Sequence, residues 1–322
     1  PRYVAARDEL RFDGLDLPAD LARRAHAWLA PGDEVVRVED WGGGLWRAHV
    51  YGDERDWPAA CAAFELPKYR CVARSGAAVV WKWAGLASQP GGAGAAVALA
   101  RLAAQARRGY APEPLGAAHG FVATRWIAGP PLSRADLDDE LIDRLGRSIA
   151  AESGPPLSPE QARAARDRLD EWLYWNTREL LGEAAAEALK AVSAEAPLTA
   201  GPVYGDGQLA PHEWRSVAGR LIKTDSAGHR YDHTAVGPQP AAWALAGAIV
   251  EWDLDETRED RLRAAYRAAG GQDYPPPALR LYRLAYAAFR AGQAAMAAQT
   301  TGDPAEIARL NACRDRCVRH LE

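Results

Sequence analysis

The sequence lacks the features typical of membrane, secreted and nucleic-acid-binding proteins. No apolar run approaches the roughly 20 residues that a membrane-spanning helix needs, and the N-terminal residues have no apolar core like that of a signal peptide. The net charge of −4 argues against the dense basic surface that binding to nucleic acid usually requires. We therefore expect a cytoplasmic protein that acts on neither nucleic acid nor membranes.

Cysteine and lysine are both scarce. Cys313 and Cys317 are four residues apart on a predicted helix, but no second pair has the spacing of metal ligands, so we expect reduced, packed cysteines. Among the 39 basic residues, lysine occurs only at positions 68, 82, 190 and 223. In a chain that otherwise uses arginine, this scarcity weakly favours lysines that serve as compact point charges.

What the sequence does contain is typical of a globular protein with strands first and helices later. Its 322 residues, 48% of them hydrophobic, are enough for two lobes with a substantial core. Alternating patterns predict strands at 34–38, 45–50, 68–74, 77–83 and 120–127. Helical periodicity predicts helices at 18–30, 94–108, 137–151, 161–181, 240–251, 258–269, 277–298 and 304–320. This order predicts a small β-rich lobe joined to a larger helical lobe near residues 124–133.

Two aspartates, Asp206 and Asp225, stand on either side of a predicted hairpin. The apolar run 217–222 is broken by a glycine, which is typical of a tight turn between two strands. Such a hairpin would fold the two carboxylates toward one pocket. One acid that orients a hydroxyl and one that holds a divalent metal is an arrangement suited to phosphoryl transfer.

With these residues, the chain resembles the aminoglycoside phosphotransferase and choline-kinase-like family, a branch of the protein-kinase-like fold. The resemblance covers roughly residues 60–300 and is carried by five segments in the family's order: Ala78-Val-Val-Trp-Lys82, 121–132, Tyr204-Gly-Asp206, Ile222-Lys-Thr-Asp225 and 241–247. It implies an α+β fold with two lobes. We expect an N-terminal extension at 1–60 packed on the N-lobe, a nucleotide-binding N-lobe at 61–127 and a helical C-lobe with the catalytic hairpin at 128–322.

The resemblance also implies ATP and Mg²⁺ as cofactors, and a role for each matched residue. Lys82 would place its charge on the α- and β-phosphates, and main-chain groups of residues 124–128, which include Trp126, would bind the adenine. Asp225 would coordinate Mg²⁺, and Asp206 would act as the catalytic base or position the acceptor hydroxyl. The structural alternatives are a solvated lysine and an aspartate in a turn.

The metal site departs from the family's pattern. Tyr204 replaces the usual histidine before the catalytic aspartate, and Pro211 occupies the position of the asparagine that supplies the second metal ligand. His212 and Glu213 follow directly, and either can take its place after a small loop adjustment. The glutamate is the better partner for Mg²⁺, whereas the histidine suits a softer metal.

The N-lobe departs from the pattern as well. The predicted helix at 94–108 has no acidic residue to pair with Lys82, and Gln105 is its only uncharged polar candidate. The expected phosphate loop falls at 64–68 and is not glycine-rich, so Lys68 is a candidate to reach the phosphates instead. Gly42–Gly44 is an alternative nucleotide loop, although three adjacent glycines are more often a turn.

A polar cluster directly follows the predicted metal ligand. His229, Asp232 and His233 lie within eight residues of Asp225. They either line the acceptor site or bind a metal, or they form a polar loop that holds its own backbone. Ionisable groups gathered beside a metal ligand are typical of active sites.

Three functions remain open at this point. The first is an ATP-dependent phosphotransferase that acts on a hydroxyl of a small molecule. The second is a catalytically impaired pseudokinase, a module that binds a nucleotide or a partner, which the departures favour. The third is a nucleotidyl transferase on the same fold. The retained Lys82, Asp206 and Asp225 argue for catalysis, because a module without activity has no chemical need for all three.

Overall fold

A computed structural model of the chain describes residues 14–62, 65–85, 94–152, 154–201, 208–225 and 237–321. The chain forms two compact units. The first consists of Pro1–Pro131 and Trp214–His233, and the second of Leu132–Glu213 and Thr234–Glu322. The predicted division of the chain into three segments stays a prediction.

The first unit is built on a five-stranded antiparallel sheet. Its strands are β1 (Val35–Asp40), β2 (Lys68–Ala73), β3 (Ala78–Trp83), β4 (Pro114–Ala118) and β5 (Phe121–Arg125), in the order β1-β2-β3-β5-β4. The predicted hairpin of β2 and β3 is confirmed. Gly76 turns it with a φ of 91°, a left-handed conformation that glycine adopts without strain.

The two faces of this sheet pack against different helices. Helix α1 (Leu17–His26) covers one face and packs against Val79, Trp81 and Phe121. Val122, whose side chain points to the other face, packs against α3 (Ala95–Arg108). Because directly paired residues of an antiparallel sheet share a face, the pairing of Val122 with Lys82 places that lysine on the α3 face.

The connection between β1 and β2 contradicts one predicted strand. Residues 45–50 form no strand: a turn passes into the short helix α2 (Arg47–Val50). The buried Arg47 explains the difference, since its side chain donates to the carbonyls of Gly44 (3.1 Å) and Pro58 (2.8 Å). The alternating pattern gave no sign of this, because the partners of Arg47 are main-chain groups.

A second, two-stranded sheet belongs to the first unit. Strands β6 (Trp214–Val217) and β7 (Arg220–Lys223) pair antiparallel, which confirms the predicted hairpin. Ala218 and Gly219 both have a positive φ, 48° and 74°, as a tight two-residue turn requires. The Lys223 amide donates to the Tyr110 carbonyl (2.8 Å), which ties the hairpin to the segment after α3.

The second unit is helical. Its helices are α4 (Asp139–Glu152), α5 (Pro159–Leu181), α6 (Glu183–Glu195), α7 (Ala241–Trp252), α8 (Glu256–Ala268), α9 (Pro276–Thr300) and α10 (Pro304–Val318). Helix α9 packs against α5, α7 and α10, and every residue of α7 is buried. None of the helices in the described part of the chain has the length and apolar character of a membrane span.

Most of the predicted helices are confirmed to within a few residues, but besides the short α2 one helix and one strand were missed. Helix α6 is rich in alanine and glutamate, so its high helix propensity was the available signal. Strand β4 contains a proline and a glycine, residues that weaken a strand prediction and are tolerated at the edge of a sheet.

Candidate active site

Two lysines stand opposite each other on the α3 face of the sheet. Lys68 begins β2 and Lys82 lies near the end of β3, and the two are a paired position of the hairpin. Their side chains therefore project from the same face, at the open end of the hairpin. Both side chains are largely buried, with 12% and 9% of their surface exposed.

Both lysines converge on the carboxylate of Asp225, which follows β7. Lys82 Nζ forms an ion pair with Asp225 Oδ1. Lys68 Nζ lies 3.4 Å from Asp225 Oδ2 and 2.8 Å from Glu65 Oε2. The Asp225 side chain keeps 21% of its surface exposed. The carboxylate is thus held between two ammonium groups and remains partly open.

A third lysine contacts the main chain of the same aspartate. Lys223 is fully buried in β7, and its ammonium donates to the Asp225 carbonyl (2.6 Å). Three of the chain's four lysines therefore contact one aspartate. We call Lys68, Lys82, Lys223, Glu65 and Asp225 the Asp225 cluster. Lys223 and Glu65 were not predicted as site residues, and the scarcity of lysine in the sequence was the only signal that pointed to Lys223.

Gln105 does not pair with Lys82 in place of the acidic residue that α3 lacks. It is buried, with 5% of its surface exposed, and its side-chain oxygen has no hydrogen-bond partner within the described residues. Lys82 pairs with the carboxylate of Asp225 instead.

Trp126 lies in an aromatic cluster at the end of β5. Its amide donates to the Ala78 carbonyl (2.9 Å). Its ring meets Trp41 edge to face, 5.1 Å between centroids, and the Arg70 guanidinium lies 5.1 Å from one ring and 5.2 Å from the other. Arg70 also donates to Glu39 (3.2 Å). Burial opposes ionisation of Glu39, but the hydrogen bond and charge of Arg70 prevail and lower its pKa.

The glycine turn lies in the connection between the first two strands of the sheet. Gly42–Gly44 follows β1 directly, and the Trp41 amide donates to the Lys68 carbonyl (2.8 Å). A Cβ on Gly42 would lie 3.7 Å from the Lys68 nitrogen. The turn therefore adjoins the first residue of β2, at the position where the alternative nucleotide loop is predicted.

His212 and Glu213 lie in a 3₁₀ turn, Pro211–Glu213, of the second unit. Glu213 is buried there, with 6% of its surface exposed. Burial and the charge of Glu251 raise the pKa of Tyr286, and the charge of Glu213 adds to this shift. No group of three or more His, Cys, Asp or Glu side chains suited to a metal was found in the segments that the structure describes. The metal roles of Asp225, Glu213 and His212 stay predictions.

The other predicted site residues lie outside the described residues. These are Tyr204 and Asp206 of the catalytic motif, and His229, Asp232 and His233 of the polar cluster. Their roles stay predictions.

The arrangement around Asp225 suits an anionic ligand that carries a metal. Ammonium groups are compact charges on flexible stems, so they can turn from a carboxylate to another anion with little rearrangement. Asp225, once released, offers oxygen ligands, which Mg²⁺ prefers. An ion cluster that can exchange partners in this way differs from a fixed structural ion pair.

No protein-family model matches the sequence, and no curated protein matches it in a sequence comparison. The fold, in contrast, is similar to solved structures over nearly the full chain. A spectinomycin phosphotransferase in complex with ADP and spectinomycin has a TM-score of 0.57 at 9% identity, covering 94% of this chain and 97% of its own. The choline kinase of Streptococcus pneumoniae has a TM-score of 0.54 at 12% identity, with coverage of 95% and 98%. The macrolide 2′-phosphotransferase of Brachybacterium faecium has a TM-score of 0.53 at 16% identity, with coverage of 94% and 98%.

The protein has a protein-kinase-like fold. The α+β class with a small β-rich lobe and a larger helical lobe is confirmed, and the resemblance to choline kinases and aminoglycoside phosphotransferases is confirmed as a similarity of fold. At identities of 9–16%, the likeness to these structures concerns the fold alone.

Proposed function

We propose that the protein is an ATP-dependent phosphotransferase that acts on a hydroxyl of a small molecule. The observation that carries the proposal is the convergence of Lys68 and Lys82 on Asp225, on one face of the sheet of a kinase-like fold. The similar spectinomycin phosphotransferase, which is in complex with ADP, supports a nucleotide as the phosphoryl donor.

The residues fit a nucleotide with its metal. Lys82 and Lys68 would hold the phosphates, because charge-assisted hydrogen bonds from ammonium groups to phosphate oxygens are among the strong ones. Asp225, released from the lysines, would be a ligand of Mg²⁺, and Glu213 or His212 would be the second protein ligand. The metal would neutralise charge on the phosphates. Gly42–Gly44 is the candidate loop over the phosphates, and Trp126 belongs to the segment proposed to bind the base.

The transfer itself needs a proton acceptor, which we assign to Asp206. The acceptor hydroxyl oxygen forms a bond to the γ-phosphorus while the bond between that phosphorus and the ADP oxygen breaks. The hydroxyl proton passes to the Asp206 carboxylate. His229, Asp232 and His233 are the candidates to orient the acceptor, because they follow Asp225 closely in sequence.

A module that binds nucleotide without transferring phosphate is the second candidate. Lys68 is already paired with Glu65 at 2.8 Å, and α3 supplies no acidic residue to hold Lys82 when Asp225 turns to a metal. Both observations favour a site that binds phosphates without activating them. A nucleotidyl transferase would use the same residues on a different phosphorus of the nucleotide.

Calorimetric titration with ATP, with Mg²⁺ and with EDTA, separates these functions. The wild-type chain is compared with Asp225→Ala and with the control Asp56→Ala, which removes an exposed aspartate of the same unit. The phosphotransferase predicts binding that needs Mg²⁺ and is at least about tenfold weaker in Asp225→Ala but not in the control. Equal binding with EDTA would favour the non-catalytic module. Absence of binding in all conditions would exclude all three.

A screen for the acceptor completes the test. ADP release is measured with panels of hydroxylated small molecules, and the products are identified by mass. A product heavier by one phosphoryl group supports the phosphotransferase, and one heavier by a nucleotidyl group supports the nucleotidyl transferase.

A further inference from the structure

A pair of buried thiols in the helical unit has no part in the proposed function. Cys313 and Cys317 lie one turn apart on α10, with 9% and 1% of their surface exposed. The sequence predicts reduced, packed cysteines at these positions. The structure adds the groups that surround them.

Two guanidinium groups act on Cys313. Arg316 of the same helix donates from Nη2 to the Cys313 sulfur (3.3 Å). Arg290 of α9 lies close enough to stabilise a negative charge on this sulfur. Both guanidinium groups, and Arg134, also act on a buried carboxylate nearby, Glu251 of α7, whose negative charge opposes ionisation of Cys313. The direct contact from Arg316 is the geometric observation that favours a thiolate at Cys313.

The remaining charged groups are held around Glu251. Arg290 Nε lies 2.6 Å from Glu251 Oε1, the Tyr286 hydroxyl donates to the same oxygen (3.1 Å), and Arg134 Nη2 lies 3.9 Å from Oε2. At the edge of the group, Asp253 is paired with His320 (3.1 Å) and Arg319 (3.9 Å). We call Glu251, its three arginines and the two cysteines the Glu251 cluster.

The pKa values of the two thiols in this cluster are shifted in opposite directions. The hydrogen bond from Cys317 lowers the pKa of Cys313 to about 6. Burial and the negative charge of Glu251 oppose the shift, and Arg290 and Arg316 add to it. The same hydrogen bond, together with burial, raises the pKa of Cys317. Burial likewise raises the pKa of Cys71 in the sheet, to about 11.

We propose that Cys313 is a modification site that hydrogen peroxide, a small uncharged oxidant, oxidises, with Cys317 as the resolving thiol. The thiolate attacks one peroxide oxygen, a sulfur–oxygen bond forms, and the oxygen–oxygen bond breaks. The departing hydroxide takes up a proton and leaves as water. The sulfur of Cys313 is oxidised to a sulfenic acid, and the peroxide is reduced.

Cys317 completes the reaction. Its sulfur attacks the sulfenic sulfur, a disulfide forms, and the hydroxyl group leaves as a second water with the proton of Cys317. Cα atoms four residues apart on an α-helix are about 6.2 Å apart by ideal geometry. That distance lies within the range that a disulfide spans. The full conversion of two thiols therefore needs one peroxide molecule and no other reactant.

The ionisation is tested on the folded wild-type chain by the rate of alkylation with iodoacetamide between pH 6 and 9. Each cysteine is followed by peptide mass spectrometry. We expect the rate at Cys313 to be nearly constant above pH 7. In protein unfolded by urea, the same site should follow an ordinary thiol, whose rate rises roughly tenfold per pH unit below its pKa. A tenfold rise per unit at Cys313 in the folded protein would overturn the proposal.

The oxidation is tested with hydrogen peroxide on the same folded chain. The expected product is a Cys313–Cys317 disulfide, with an intact mass lower by two hydrogens. In Cys317→Ser, dimedone should instead trap a sulfenic acid at Cys313. Oxidation that begins at Cys61, or no oxidation under conditions that oxidise free cysteine in solution, would contradict the assignment.

A matched pair of variants tests the role of the arginine. Arg316→Gln removes the donor to the Cys313 sulfur, whereas Arg314→Gln removes an arginine that pairs with its exposed neighbour Asp315. We expect Arg316→Gln to lower the alkylation rate of Cys313 at pH 7 by about threefold or more, and Arg314→Gln to leave it unchanged. Equal effects of the two variants would contradict a specific role for Arg316.

Discussion

Two carboxylates of this protein are each surrounded by basic side chains, but the two sites are built for different purposes. Asp225, in the unit of the sheet, is held by lysines and keeps 21% of its side chain exposed. Glu251, in the helical unit, is held by arginines, and only 3% of its side chain is exposed. Arginine forms fixed, forked hydrogen bonds, whereas lysine is a point charge that exchanges partners easily. The difference agrees with the proposal that a ligand binds at Asp225, whereas Glu251 stabilises the fold.

The largest expected effect is the loss of stability when the Glu251 carboxylate is removed. Glu251→Gln removes the carboxylate that pairs with the buried Arg290 at 2.6 Å, so we expect the free energy of unfolding to fall by about 3–5 kcal/mol. The matched control is Glu256→Gln, at the exposed start of α8, which should change it by less than about 0.5 kcal/mol. Chemical denaturation measures both. A loss below about 1 kcal/mol at Glu251 would contradict its structural role.

Acid titration of the wild-type chain tests the same carboxylate without a substitution. Burial would raise the pKa of Glu251, but Arg290 and its neighbours lower it to about 2, against 4.5 for an unperturbed glutamate. Because the folded pKa is the lower one, this stabilisation is fully present above pH 4.5 and is lost as the pH falls toward 2. We expect the wild type to lose about 3 kcal/mol in this window that Glu251→Gln does not lose. Parallel pH profiles of the two proteins would contradict the assignment.

Lys82→Met is the corresponding change at the Asp225 cluster. It removes one ammonium group from the proposed phosphate site, so we expect the dissociation constant of MgATP to rise about ten- to hundredfold. Stability should change little, since Lys68 still faces the carboxylate. Lys190→Met serves as the control, because that lysine is 66% exposed on α6. If both variants bind MgATP like the wild type, Lys82 has no role in binding phosphates.

The smallest expected effects compare how much Lys68 and Lys82 each contribute to MgATP binding. Lys68 is farther from Asp225 than Lys82 and is shared with Glu65. Lys68→Met should therefore weaken MgATP binding by only about three- to tenfold, and Glu65→Gln should strengthen it about twofold by freeing Lys68. Isothermal calorimetry gives both constants. A larger loss with Lys68→Met than with Lys82→Met would make Lys68 the main phosphate ligand.

The sequence predicted the parts of the Asp225 site that depend on local pattern. The alternation around Ser75 and Gly76 located the β2–β3 hairpin and placed Lys82 at a strand end, and the glycine at 219 located the β6–β7 turn before Asp225. The direct ion pair between Lys82 and Asp225 was not predicted. It joins residues 143 positions apart, and local patterns carry no information on such contacts.

The Glu251 cluster was not predicted at all, for the same reason. Its members come from α7, α9, α10 and the turn that holds Arg134, and none of these segments has an unusual pattern by itself. Only the spacing of Cys313 and Cys317 was noticed, and it gave no sign of the arginines around them. Buried polar groups that find partners across several helices are the part of a fold that periodicity does not reveal.

The central claim is that the carboxylate of Asp225 is kept for a ligand and the carboxylate of Glu251 for stability. Denaturant unfolding of the wild type, Asp225→Asn and Glu251→Gln, with and without saturating MgATP, tests it most directly. Without ligand, Asp225→Asn should lose less than about 1.5 kcal/mol. MgATP at a hundred times its dissociation constant should stabilise the wild type by about 2.7 kcal/mol and should stabilise Asp225→Asn far less. If Asp225→Asn is as unstable as Glu251→Gln, and MgATP stabilises wild type and variant equally, the claim is wrong.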